Sequence, residues 1–401
     1  MRSVLARRFF WIGVGVWIAT RALVVADVSH LQDVGNYEAW SHYLTAHGAM
    51  PSGRSWQYPP GAAFLMLVPR LGPGSYGDSF VALMLLFDLA GLGLLALLGR
   101  RCGSYRGVWV WLLGMPLLGT FAVLRFDLVP TVVAIAALVV IHRRPQWFGV
   151  LAGLGAAIKV WPVVLLFGEW ERGRLLRAGF AALAAIGLVF FVSALAFGDP
   201  ASFLGGQSAR GLQEEAVATL PWQAKAVVTG DLPQRAIRYG AWQLSGDGPE
   251  ALATALEWLS IAVLVAAAAW WWLRARAIRT GQAHLAAASV SRDFAFAIVL
   301  LLVVTSRVLS PQYMVWMLGL SAVILAAGTT RMARPAWLVL ASMILTTTLF
   351  KSPLAILVRD LLLLAAAIDA SVAMVALLRS ADPAPAVGAE RELSQPAPSR
   401  G

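Results

Sequence analysis

Apolar runs of roughly 20 residues recur along this chain, and that length matches the hydrocarbon core of a bilayer. They fall at about Phe9–Val25, Ser79–Leu98, Gly107–Leu124, Leu128–Ile141 and Gly179–Phe197, then at Ala251–Leu273, Leu285–Thr305, Met314–Ala327, Ala336–Phe350 and Leu354–Leu378. Arginine clusters separate many of them: Arg100/Arg101/Arg106, Arg143/Arg144, Arg172/Arg174/Arg177, Arg274/Arg276/Arg279, Arg331/Arg334 and Arg379. With the N-terminus inside, all these clusters fall on the cytoplasmic side, as membrane topology requires. The net charge of +11 is thereby explained without nucleic acid. Only 13% of the 401 residues are charged, against about 25% in a soluble domain.

Two stretches are too long for turns and too polar to span, 27–77 and 198–250. Both fall on the outer side in this topology. The segment Trp147–Trp170 carries arginine clusters at both ends and Lys159 and Pro162 at its centre. A single span would place one cluster outside. A pair of half-helices broken near Lys159-Val160-Trp161-Pro162 keeps both inside, since proline removes a ladder bond and a buried lysine needs a polar cavity. The expected fold is an all-α polytopic membrane protein. It has ten to twelve transmembrane helices over residues 1–380, short helices in the outer loops, and a disordered cytoplasmic tail over 381–401.

The start MRSVLARRFF resembles a signal peptide, but no small-residue cleavage site follows cleanly, which favours an uncleaved first span. Cys102 is the sole cysteine, so neither an intrachain disulfide nor a thiolate metal cluster is available. The five histidines, His30, His42, His47, His142 and His284, are scattered, and His42 and His47 stand at i, i+5, poor ligand spacing on a helix. No metal site and no cofactor follows from them. The chain has no phosphate-loop or dinucleotide fingerprint and no internal repeat.

The chemistry-bearing residues gather in the outer stretches. Asp33 precedes Tyr37 and Trp40, which share a helical face, and Trp56, Tyr58, Pro59 and Pro60 follow. On composition alone this also describes an interfacial aromatic belt with a rigid turn. Asp27, at the end of the first span, suits an interfacial role. Arg125 and Asp127 face outward between two spans, where they line a cavity or pair with each other.

The pattern Asp33-x-x-x-Tyr37-x-x-Trp40, Gly48-x-x-Pro51, Trp56-x-Tyr58-Pro59-Pro60 resembles the first outer loop of the GT-C membrane glycosyltransferases. It is most similar to the polyprenyl-phosphate-mannose-dependent α-mannosyltransferases of glycosyltransferase family 87. Three later segments fit the same family: Gly155-Ala-Ala-Ile-Lys159-Val-Trp-Pro162, Arg210-Gly-Leu-Gln213-Glu214-Glu215 and Arg307-Val-Leu-Ser310-Pro311-Gln312-Tyr313.

The resemblance implies transfer of a sugar, mannose by default, from a polyprenyl-phosphate donor to a lipid or glycan acceptor at the outer face of the inner membrane. It implies Asp33 as general base in an inverting displacement, where one carboxylate suffices. Lys159, Arg210 and Arg307 become candidates for the donor phosphate, which suits cations. As plain alternatives, Lys159 is a satisfied charge beside a broken helix, Arg210 a solvated loop charge and Arg307 an interface anchor. Tyr37, Trp56, Tyr58, Gln213, Glu214 and Gln312 become candidates for the sugar or acceptor, with Glu215 and Trp222 as further options.

The rival from another class is a transporter or flippase, for which Asp88, Glu257, Asp360 and Asp369, in or near spans, would carry the function. Cysteines introduced at positions 52 and 208 are expected to react with an impermeant maleimide added outside, and one at 104 is not. Labelling at 104 alone would invert the topology.

Overall fold

The structure, a computed structural model, describes residues 2–28, 32–51, 56–141, 143–208, 210–238, 240–280, 288–328, 330–348 and 352–379. His30, His142, His284 and the 381–401 tail lie outside the described residues, as does the side chain of Asp33.

The chain opens with α1 (Arg2–Ala26), then α2 (Gln32–His47) and α3 (Gly61–Leu67) within the first polar stretch. Next come α4 (Tyr76–Cys102), α5 (Arg106–Leu117), α6 (Leu128–Val140) and α7 (Pro145–Ile158). A 3-10 helix, Trp161–Gly168, precedes α8 (Arg172–Phe197). The second polar stretch holds α9 (Phe203–Ser208), α10 (Leu220–Thr229) and the strands β1 (Leu212–Gln213), β2 (Arg235–Arg238) and β3 (Ala241–Leu244). The chain ends in α11 (Asp247–Arg279), α12 (Ala288–Thr305), α13 (Tyr313–Ala326), α14 (Ala333–Thr348) and α15 (Pro353–Arg379).

Helices thus fall on all ten apolar runs read from the sequence. Four of them, in α4, α8, α11 and α15, are long and apolar enough to cross a membrane on length and composition alone. The protein is an all-α multi-pass membrane protein. The segment between the arginine clusters at 143–144 and 172–177 is broken as expected: α7 ends at Ile158, Lys159 is extended (φ −152°, ψ 126°), and Pro162 sits at the start of the 3-10 helix. The break follows from Pro162, which cannot donate to an α-helical ladder.

Two details depart from the sequence reading. The third run was expected to extend to Leu124, but α5 stops at Leu117, just after Pro116, and a 3-10 turn, Gly119–Ala122, follows. The second polar stretch was expected to hold helices, and it also forms a three-stranded antiparallel sheet in the order β1-β3-β2. Arg238 pairs with Ala241 across the two-residue turn, and Gly240 has φ +74°, a conformation glycine adopts without strain.

Buried charge and small residues hold the bundle together. In α4, Asp88 is fully buried and accepts from Arg21 Nε (2.8 Å) and Nη2 (3.0 Å), Trp17 Nε1 (2.6 Å) and Trp111 Nε1 (2.7 Å). Arg21 Nη1 donates to the Leu112 carbonyl as well (2.8 Å). This network pins α1 and α5 to α4. On α7, Gly149 and Gly153 form a small-xxx-small face against α8. A Cβ on Gly149 would stand 2.0 Å from the Ala178 carbonyl oxygen, and one on Gly153 would stand 2.5 Å from that of Ala182.

The two polar stretches meet at one end of this bundle. Met50 N donates to Phe197 O (2.8 Å), Arg210 hydrogen-bonds Gln57, and a Cβ on Gly61 at the start of α3 would stand 2.5 Å from the Ala157 carbonyl oxygen in α7.

Gly149→Val is expected to destabilise the protein by several kcal/mol, because the clash is with backbone that cannot yield. Gly187→Ala, in α8 with nothing within 4 Å of its Cβ position, is expected to be neutral or slightly stabilising. Melting temperatures of the two detergent-solubilised variants would check the contrast.

Candidate active site

A cavity of about 1150 Å³ lies between the two polar stretches. Tyr37 and Trp40 from α2, Gln57 and Tyr58 from the turn before α3, and Arg125 from the link before α6 form part of its wall. Arg210, Gln213, Glu214 and Glu215 complete it together with β2 and β3 and the Ser310–Gln312 link between α12 and α13. A second cavity of about 350 Å³ adjoins it, lined by Lys159, Trp161, Phe203, Leu204, Tyr313 and Trp316. Gln57, Tyr58, Arg210, Ser310 and Gln312 line both. A larger, arginine-rich chamber therefore adjoins a smaller one with several aromatic and aliphatic walls and Lys159, and Arg210 lines both.

Lys159 is anchored at the helix break. Its Nζ donates to Asp127 Oδ1 (2.6 Å), which also accepts from Trp316 Nε1 (2.9 Å). Four rings surround the ammonium, with Tyr313 and Trp316 centred at 5.0 and 5.1 Å and Phe126 and Tyr58 at 5.7 and 5.8 Å. Cation–π attraction and a buried carboxylate together keep the charge in place. Asp127 thus bonds Lys159 and Trp316, while Arg125 lines the larger cavity.

The remaining residues singled out in the sequence divide into groups. Tyr37, Tyr58, Gln213, Glu214, Gln312 and Arg210 line the larger cavity. Within that set, Glu214 is committed to Arg235, whose Nη1 reaches both carboxylate oxygens (2.7 and 2.8 Å), and Gln213 Nε2 donates to Ser310 Oγ (3.4 Å). Arg307 lines neither cavity; its carbonyl accepts from Gln213 N (3.0 Å), and its side chain pairs with Glu257 of α11. Trp56 is fully buried, edge-on to Trp40 and Tyr58, so its faces lie behind the wall and are closed to a sugar. Trp222 packs against the small apolar cluster around Leu212 and Leu256. Asp33 lies in the first turn of α2, four residues before Tyr37, and its side chain is outside the described residues. His42 and His47 lie on the exposed side of α2.

Several lining residues had no place in the sequence reading. Arg235 and Arg238 come from β2, and Arg235 also stacks on Trp242 (4.8 Å). The signal for them was the alternation in Arg235-Ala-Ile-Arg238 and Ala241-Trp-Gln-Leu244 around a glycine-containing turn. Asn36, Gln57 and Gln243 carried no signal, being single polar residues in polar loops.

Among the described residues, Glu215 is the other carboxylate on the cavity. Its Oε2 is buried without a hydrogen-bond partner, and burial pushes its pKa up to about 7. Arg359 and Arg125 oppose that shift, while Glu214 and Asp360 add to it.

The four acids on which a transport reading rests all have arginine partners. Asp88 pairs with Arg21, Glu257 with Arg307, Asp360 with Arg359 (2.7 Å) and Asp369 with Arg334 (3.4 Å).

Comparison with known proteins adds three findings. No curated protein matches the chain. Among solved structures, it is similar to ArnT from Cupriavidus metallidurans bound to undecaprenyl phosphate. The match has a TM-score of 0.49 and 14% identity, and covers 94% of this chain and 79% of that one. The model of glycosyltransferase family 87 matches residues 56–302, a stretch that holds the broken helix, both polar stretches' contributions from Gln57 to Gln243, and most of the cavity wall. The chain belongs to glycosyltransferase family 87.

Proposed function

We propose that the protein transfers a sugar, mannose by preference, from a polyprenyl-phosphate donor to a hydroxyl of a lipid or glycan acceptor at the outer face of the inner membrane. The observation that carries this reading is the paired cavity: a larger, arginine-rich chamber beside a smaller one that is richer in aromatic and aliphatic walls, with Arg210 lining both. A lipid-linked sugar has the same division, a phosphosugar head and an isoprenoid tail. The head fits the larger chamber, and the first isoprenes fit the smaller one, among Phe203, Leu204 and Trp161.

In this reading the acceptor oxygen attacks the anomeric carbon while the bond from that carbon to the phosphate oxygen breaks. The phosphate leaves with the bonding pair, and configuration inverts. Asp33 takes the acceptor's proton. Position 33 lies one turn before Asn36 and Tyr37, both of which line the cavity, so it shares their face of α2. Arg210 stabilises the charge that develops on the leaving phosphate, and its guanidinium suits a phosphate oxygen pair. Lys159 supplies further positive potential from behind Tyr58, tempered by Asp127. Tyr37, Tyr58 and Gln312 orient the sugar ring. The arginine partners of Asp88, Glu257, Asp360 and Asp369 favour this static chamber over a transport path.

With membranes containing the protein, a radiolabelled polyprenyl-phosphate mannose and a panel of lipid acceptors, Asp33→Asn is expected to lower transfer about 10²–10⁴-fold, the usual worth of a general base. A rate within a few-fold of wild type would remove Asp33 from that role. Arg210→Ala is expected to raise the donor KM and lower kcat together.

Lys159 has a separate test. Lys159→Met alone strands the Asp127 charge, and Asp127→Asn alone strands the lysine; each is expected to cost about 3–5 kcal/mol of stability. The double variant removes both charges and is expected to regain most of that loss. If the refolded double variant also keeps full transfer activity, Lys159 serves the fold and not the phosphate.

A further inference from the structure

The end of α6 away from the cavities gathers positive charge that no ion pair neutralises. Arg101 of α4 donates from Nη1 to the Val139 carbonyl (3.3 Å), and Arg292 of α12 donates from Nε to the Leu138 carbonyl (3.3 Å). Two guanidiniums from separate helices thus meet at neighbouring carbonyls in the last turn of α6. Arg143 follows at once, its backbone N bonded to Val140 O (3.0 Å), and it stands close enough to repel both. Among the described residues, none of the three forms an ion pair with a carboxylate. Asp293, next to Arg292 in sequence, is spent elsewhere: its oxygens accept from Thr330 Oγ1 and from Arg331 N (3.0 Å).

Arginines at the inner ends of spans are ordinarily a topology signal, and such side chains reach out into water. Arg292 does not; it is only 8% exposed, and Arg101 is half-buried. The negative end of the α6 dipole favours their carbonyl bonds, but it does not match three full charges. An anion at the cluster would. Arg143 and Cys102, whose side chain lies against Arg292, are both exposed, so the cluster is open to the surface. A phosphate oxygen pair matches the guanidinium fork. The place selects the kind of phosphate. α6 has 13 residues, so the cluster lies about 20 Å along it from the cavity end. Arg101 directly follows the apolar run of α4, which exposes Leu86 and Leu89 as a surface for acyl chains.

We propose that Arg101, Arg143 and Arg292 bind the phosphate of an anionic phospholipid in the inner leaflet, at the boundary between hydrocarbon and water. The bound head group bridges the ends of α4, α6 and α12 and offsets the repulsion among their arginines. A zwitterionic head group is a poor substitute, because it brings a cation of its own into the cluster. The three arginines line neither cavity, so this site stands whether or not the transferase reading does.

Native mass spectrometry of the full chain released from detergent micelles tests the site, with phosphatidylglycerol and phosphatidylcholine of the same acyl chains as probes. Phosphatidylglycerol is expected to bind saturably and severalfold more tightly than phosphatidylcholine. Arg143→Gln is expected to weaken phosphatidylglycerol about fivefold, the usual worth of one arginine at an anionic lipid surface. Its side chain is exposed and makes no bond among the described residues, so the fold has nothing to lose. Arg101→Gln is expected to act alike, and phosphatidylcholine binding should be unchanged in both. Arg279→Gln removes an exposed arginine from the inner end of α11 and is expected to leave the affinity within twofold of wild type.

Equal weakening by Arg279→Gln and Arg143→Gln would mean attraction to inner-face charge in general and would overturn the site. Phosphatidylglycerol binding no tighter than phosphatidylcholine would do the same. Inorganic phosphate in millimolar excess separates the two sources of a phosphate. It is expected to leave the bound phosphatidylglycerol in place, and displacement would overturn the lipid assignment in favour of a free anion. Because binding is read without turnover, failure of the transferase reading would show as absent transfer with lipid binding intact.

Discussion

The ion pair between Lys159 and Asp127 is the contact on which the architecture of the site depends. It joins the broken end of α7 to the start of α6, and Trp316 of α13 bonds the same carboxylate oxygen. Tyr58, from the first polar stretch, packs over the ammonium, so that stretch is oriented against the break. A lysine in an apolar segment is costly unless paired, and the pairing here converts the cost into geometry. Four elements far apart in sequence are thereby held around one point, and the two cavities open beside it.

A second consequence concerns the arginines. Buried charge that is left uncompensated destabilises a fold. The arginines fall into two groups. Arg21, Arg307, Arg334 and Arg359 neutralise acids in the helices. Arg125, Arg210, Arg235 and Arg238 line the chamber, and among these Arg235 is paired with Glu214. Close helix contact through Gly149 and Gly153 keeps the bundle tight without further polar bonds.

Much of this was legible before any coordinates. The apolar runs, the arginine clusters and Pro162 each act over a few residues, and α1, α4, α6, α8 and the α7 break lie where they indicate. The aromatic and acidic composition of 27–77 and 198–250 pointed to the end of the bundle where the chamber lies. The three-stranded sheet was not foreseen, because its strands are two to four residues long, and such short alternation is indistinguishable from loop. Trp56 and Arg307 looked like Tyr58 and Arg210 in sequence; one is fully buried and the other is paired with Glu257.

Hydropathy and charge, read along the chain, settle that this protein lives in a bilayer, how its helices are punctuated and which stretches gather at the polar end. Those properties depend on neighbours within one span, so a linear pattern suffices. Which charges remain available for a substrate was decided only by packing. Asp127 meets Lys159 across 32 positions and Asp88 meets Arg21 across 67, while Arg359 donates to the Glu215 backbone carbonyl across 144. Pairing over such separations is set by the way helices cross, and it divides chemically identical side chains into those that hold the fold and those left facing the cavity.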